Sequence, residues 1–165
     1  MAGAADRPLV FLDVDGPLIP FRARPVGRRI AVGHLVGSSG GNPLVGRLDP
    51  EDGRRLLALR CRLVWASTWM ADANEVIAPR LGLPPLPVVD FPEGEADPGL
   101  HWKTVHLVRW AAGRPFVWLD DETTEADRRW VRDHHPGRAL VHRVDPLVGL
   151  TDRDFARVRQ WLAVV

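Results

Sequence analysis

Residues 9–18 read LVFLDVDGPL, an apolar run suited to a buried strand that delivers two aspartates, Asp13 and Asp15, just before Gly16. Residues i and i+2 of a strand share a face, so the two carboxylates would point the same way with Val14 packed behind them. Like charges crowded at a strand end raise each other's pKa, and burial raises it further, unless a proton or a cation lies between them. The stretch therefore points to a metal ion or to proton transfer. Its competing explanation is a strand that ends at Asp13, an ordinary Asp15-Gly16-Pro17 turn, and two solvated acids.

The rest of the chain decides what that strand belongs to. Residues 16–48 are rich in Gly, Pro and Arg and read as a loop or hairpin-like flap turning at SSGGN, residues 38–42. Asp49 and Pro50 open a helix to about Arg60 as N-cap and first residue. Apolar strands are expected over 61–68, 86–90, 114–122 and 138–144, and helices over 70–82, 101–113, 123–135 and 151–162. Gly82 and Gly113 close two of those helices, and Thr151 caps the last. Strands alternating with helices predict an α/β protein, with a central parallel sheet of about five strands covered on both faces, in one domain over residues 1–165.

Composition narrows the function classes. With a net charge of +1, no overall field recruits nucleic acid or membrane, although a local patch is not excluded. A single cysteine, Cys61, precludes an internal disulfide framework and fits a reducing compartment. No leader-like segment and no run near the ~20 apolar residues of a membrane span is visible, so the expectation is a cytoplasmic protein. Of 22 Lys and Arg residues, Lys103 is the only lysine, which suggests that a compact ammonium matters there.

Ligands of an open parallel sheet bind beyond the carboxyl ends of its strands. Here those ends carry Asp13 and Asp15, then Ser67 and Thr68, then Asp120 and Asp121, with Lys103 near the start of the helix before the third group. Each taken singly has a bland explanation as a cap or turn, and for Thr68 and Glu122 that explanation is the better one. Three converging strand ends with the lone lysine are hard to attribute to capping.

In order and spacing, DVDGPL at 13–18, the hydroxyl ending LVWAS, Lys103 and WLDD at 118–121 resemble the haloacid dehalogenase (HAD) superfamily of phosphotransferases. The resemblance implies a Rossmann-like three-layer sandwich. It also implies Asp13 as nucleophile, Asp15 as general acid/base, Ser67 as phosphate-binding hydroxyl with Thr68 as the alternative, and Lys103 as charge clamp. Mg²⁺ would be held by Asp13, the Asp15 backbone carbonyl, and Asp120, Asp121 or both. A carboxylate attacking a phosphate dianion faces charge repulsion, which a divalent cation and an ammonium relieve. Dehalogenase relatives lack the second acid and transport ATPases carry threonine there, so Asp15 favours phosphate-ester hydrolysis. Neither gap between motifs is long enough for a large cap. An uncovered site suits a phosphorylated substrate of any bulk, nucleic-acid ends included, although net charge does not indicate nucleic acid.

Two rivals come from other classes. A receiver-like signalling domain uses similar groups, but places the acid pair on its first strand and the lysine on its last. A non-catalytic binding or assembly module on the same fold would be expected to lack a motif residue, and none is missing. Among lesser candidates, Arg22, Arg24, Arg28 and Arg29 read as a solvated face. SSGGN lacks the lysine and following helix of a P-loop. His134-His135 suits a helix-end dipole interaction, Cys61 reads as inert, and Trp69 could line the pocket.

Overall fold

Four strands in the computed structural model, which describes residues 7–22, 43–94 and 97–165, form one parallel sheet. β1 (Leu9–Leu12), β2 (Arg62–Trp65), β3 (Phe116–Asp120) and β4 (Ala139–Arg143) lie in the order β2-β1-β3-β4. The helices are α1 (Pro50–Leu57), α2 (Ala78–Leu81), α3 (Thr104–Ala111), α4 (Glu125–His134) and α5 (Asp152–Leu162).

Strand alternation divides the core into two faces. Val10, Leu12, Leu63, Trp65, Val117 and Leu119 pack with Leu56 of α1, Leu81 of α2 and Phe155 and Val158 of α5. Leu9, Phe11, Val64, Phe116, Trp118 and Val141 pack on the other face with Leu107 of α3 and Val131 of α4. The result is the expected three-layer α/β sandwich. Each fully buried large side chain contributes about 1.5–3 kcal/mol, so the sheet's two faces supply the main stabilisation.

The expected strand at 86–90 is reduced to a single bridge between Val88 and Trp65. Pro84, Pro85 and Pro87 have no N–H to give a ladder, which is the physical reason. Asn74 holds the segment instead, accepting from Trp65 Nε1 and Leu86 N and donating to Leu86 O, each at 2.8 Å. The helix expected over 70–82 begins as a π turn, Ala73–Ile77, and becomes regular only in α2, near Pro79. Gly82 closes it at φ 67, a left-handed conformation open to glycine.

Helix starts follow their caps. Asp49 Oδ1 accepts from Glu51 N at 3.0 Å ahead of Pro50. Thr124 with Asp127, and Thr151 with Asp154, form reciprocal capping boxes. Of the expected flap, residues 23–42 lie outside the described residues, and Pro43–Arg47 is a 3-10 turn. Among the described residues, no helix is long and apolar enough to cross a membrane. The chain leaves β1 toward β2 and later returns to β3 on β1's other side, so a crevice opens beyond the carboxyl ends of β1 and β3.

Candidate active site

Register brings the first two acids together. Leu12 pairs with Leu119, and Asp13 N donates to Leu119 O at 3.0 Å, so Asp13 and Asp120 follow side by side on neighbouring strands. Continuing the alternation, both fall on the face covered by α3 and α4. Lys103 immediately precedes α3 and reaches between them. Its Nζ lies 3.0 Å from Asp13 Oδ1 and 2.7 Å from Asp120 Oδ2. Lys103 is 3% exposed and Asp120 1%, so water screens this contact little.

Asp121 adds a third carboxylate, and one oxygen from each of Asp13, Asp120 and Asp121 falls within 4.8 Å of the others. Burial pushes the Asp13 carboxyl up to about 8; the Lys103 ammonium opposes this and Asp120 adds to it. Asp121 is likewise raised by burial and by Asp120. Burial would lower the Lys103 pKa, but Asp13 and Asp120 outweigh it and the net shift is upward. Three carboxyls crowd one ammonium, so their full ionisation is held back until further positive charge arrives, and all the acidic donors are hard oxygens. The chemistry fits a small divalent cation.

Gly16 shapes the approach to Asp121. It has φ 99, and a Cβ there would lie 2.8 Å from Asp121 Cγ. Any other residue would be strained and would also press on the acid. The turn is closed by Gly16 N donating to Ile19 O at 3.0 Å and Ile19 N to Val14 O at 3.0 Å.

Asp15 points to a different neighbour. Its Oδ2 accepts from the Trp69 indole N–H at 3.1 Å, joining the turn after β1 to the turn after β2. In the latter turn Ser67 is 1% exposed, its Oγ accepts from Trp69 N at 3.2 Å, and Thr68 is exposed. Of the two hydroxyls, Ser67 is thus the buried one. Met70 has φ 49, a rare conformation for a non-glycine residue, and tightens the same turn.

The profile of the family described as HAD domain in Swiss Army Knife RNA repair proteins matches residues 9–155. The chain belongs to this HAD family. No curated protein and no solved structure matches it significantly.

Several groups around the HAD site escaped the sequence reading. Trp118 Nε1 donates to Asp120 Oδ2 at 3.3 Å and Glu122 N to Asp120 Oδ1 at 3.0 Å, so both oxygens of Asp120 already accept. His101 Nδ1 accepts from Lys103 N at 3.1 Å, and the Trp102 ring lies 5.3 Å from Lys103 Nζ. Asp127 is fully buried and ties the start of α3 to the start of α4. Its Oδ1 accepts from His101 N and the Thr104 hydroxyl, and its Oδ2 from Thr124 N and the Thr124 hydroxyl. Burial alone would raise the Asp127 pKa, but these hydrogen bonds outweigh it and hold the carboxyl low. The Thr-x-x-Asp spacing at 124–127 was its available signal.

Other sequence candidates lie elsewhere. Arg22 is exposed, while Arg24, Arg28, Arg29 and SSGGN are outside the described residues. His134 does sit at a helix end, with Nδ1 2.8 Å from Trp130 O. His135 is different: it is buried against Phe116, with Nε2 3.0 Å from Arg114 O, and burial lowers its pKa. Burial pushes the Cys61 thiol up to about 12, consistent with an inert residue.

Proposed function

We propose that this HAD domain is a Mg²⁺-dependent phosphohydrolase that removes phosphate monoesters from polynucleotide ends through a phospho-aspartate. The observation that carries the reading is the buried Lys103 ammonium bridging Asp13 and Asp120 beside a third acid, Asp121. The substrate class rests on the family description, which places such domains in RNA repair proteins.

In the proposed reaction an Asp13 oxygen attacks phosphorus, the bond to the ester oxygen breaks, and Asp15 gives that oxygen its proton. Asp15 then takes a proton from water as the water oxygen attacks the phospho-aspartate, releasing inorganic phosphate and restoring Asp13. Lys103 holds Asp13 in place and offsets charge on the transferring group. Ser67 and neighbouring backbone amides are suited to phosphate oxygens. Asp13, Asp121 and the Asp15 backbone carbonyl would hold Mg²⁺, with Asp120 acting chiefly to orient Lys103. When bound, the cation would neutralise the surplus carboxylate charge and polarise the phosphate.

The test is phosphate release from RNA oligomers bearing a 5′ or a 3′ phosphate, in Mg²⁺, by wild type and Asp13→Asn. Release by wild type alone is expected. No release from either end, or equal release by the variant, would refute the proposal.

A further inference from the structure

A cleft of about 640 Å³ lies away from the acid cluster, along β4 between α4 and α5. β4 is an edge strand, so this is an open margin of the sheet. Arg128, Arg132, Arg138 and Arg157 line the cleft, with His142 at one end and Trp161 in the wall. No carboxylate lines it among the described residues. The acids that meet its lining from outside include Asp154, whose Oδ1 is 2.7 Å from His142 Nε2, and Glu125, whose Oε2 is 3.2 Å from an Arg128 N–H nitrogen. A net charge of +1 conceals this concentration of one sign.

The arginines are differently committed. Among the described residues Arg157 is exposed and has no ion-pair partner. Arg132 meets only its exposed neighbour Asp133, at 3.5 Å. Arg138 donates one N–H to Val164 O and so retains donors. Arg128 donates Nε to Val141 O at 3.1 Å, so that carbonyl on the open side of β4 is already taken. This disfavours an added peptide strand, which needs the edge carbonyls free. Guanidinium forks spaced along a strand instead match successive phosphates. From Arg138, just before β4, to Arg143 at its end the chain extends roughly 17 Å at ~3.3 Å per residue, enough for a few nucleotides. At its far end Arg143 Nε donates to Asp121 O at 3.0 Å, so the strand that floors the cleft ends against the acid cluster.

We propose that this cleft binds the sugar–phosphate backbone of a single-stranded polynucleotide, independently of sequence, and leads its phosphorylated end to Asp13. Delivery of the end rests on the function proposed above; binding of the backbone does not.

The experiment measures fluorescence anisotropy of a labelled single-stranded RNA with a terminal phosphate, over a NaCl series in EDTA so that no turnover occurs. Wild type is compared with the triple variant Arg132→Gln, Arg138→Gln, Arg157→Gln, and with Arg157→Gln alone, which has no ion pair to lose. The triple variant is expected to bind at least about tenfold more weakly, with the salt slope shallower by about 2, at ~0.7 per single-strand phosphate contact. Arg157→Gln should show part of that loss, and both should hydrolyse an aryl phosphate in Mg²⁺ as wild type does. Failure of wild type to bind RNA, or unchanged affinity and slope in both variants, would overturn the proposal. So would a poly-glutamate peptide competing as well as RNA of equal charge, which would indicate an acidic protein partner. Arginine-dependent binding without aryl phosphatase activity would sustain the cleft and sink the enzymatic reading.

Discussion

Lys103 Nζ and Asp120 Oδ2 meet at 2.7 Å where neither side chain is open to water. The same ammonium also faces the Asp13 carboxyl, 3.0 Å from its nitrogen. Lys103→Met should therefore lose about 3–5 kcal/mol of stability in metal-free buffer, as expected when one partner of a buried pair is removed. Urea unfolding measures it. Lys103→Arg keeps the charge but not the compact shape, and should lose about 10²-fold or more in kcat/KM. Wild-type kinetics for this variant would remove the argument from the lone lysine.

Metal dependence should separate the two neighbouring acids. Asp120 accepts from Lys103, Trp118 and Glu122, whereas Asp121 is free of those bonds and faces Gly16. Activity should vanish in EDTA and return with Mg²⁺. Asp121→Asn should raise the Mg²⁺ concentration for half-activity by about tenfold or more, and high Mg²⁺ should restore much of the rate. Asp120→Asn should lower the rate at saturating Mg²⁺ instead. A Mg²⁺ titration showing the opposite pattern would reverse these two roles.

Asp127 makes a pH prediction whose sign follows from its depressed pKa. Its stabilisation is fully present above the unfolded-state value of about 3.9, and is lost as pH falls from there through the lower folded value. Asp127→Asn should be less stable than wild type at neutral pH, with a flatter dependence in acid, so that the two curves converge as pH falls. Denaturant unfolding at several pH values checks this. Parallel curves would mean that Asp127 stays uncharged or unbonded.

Much of the site was legible because it lies where local pattern and topology agree. Alternation in LVFLD and FVWLD forces Asp13 and Asp120 to one face, and parallel pairing of these strands makes them neighbours. Lys103 stood out as the only lysine. The strand at 86–90 was overestimated because its apolar residues signal burial but its prolines forbid a ladder, and Asn74 supplies the attachment at a distance. Asp127 and His101 were missed because their roles depend on the approach of α3 to α4 in space. The cleft along β4 was invisible for the same reason: its arginines come from α4, the turn before β4, and α5.

Trp69 should act through Asp15. Its indole N–H holds Asp15 Oδ2 at 3.1 Å, and Trp69→Phe removes that donor while keeping most of the ring. The variant should hydrolyse an alkyl phosphate about tenfold or more slowly, and an aryl phosphate nearly as fast as wild type, because only the poor leaving group needs the proton. Equal losses on both substrates would point to packing rather than to placement of the acid.

The two aspartates of LVFLDVDGPL should fail in different ways. Asp13 sits in the buried cluster beside Lys103, while Asp15 faces Trp69 in the turn beyond it. Asp13→Asn should form no covalent intermediate, because an amide is a far poorer nucleophile. Asp15→Asn should still be phosphorylated at Asp13 by an aryl phosphate, whose departure needs little protonation. The intermediate should then persist, since no base remains to activate water. Rapid quench followed by peptide mass spectrometry would show phosphate on Asp13 in Asp15→Asn, outlasting the wild-type intermediate. A signalling receiver would accept phosphate without turnover in the wild type, and a binding module would form no adduct. Phosphate trapped on any residue but Asp13, or full turnover by Asp13→Asn, would show that the strand end carries its acids for some other reason.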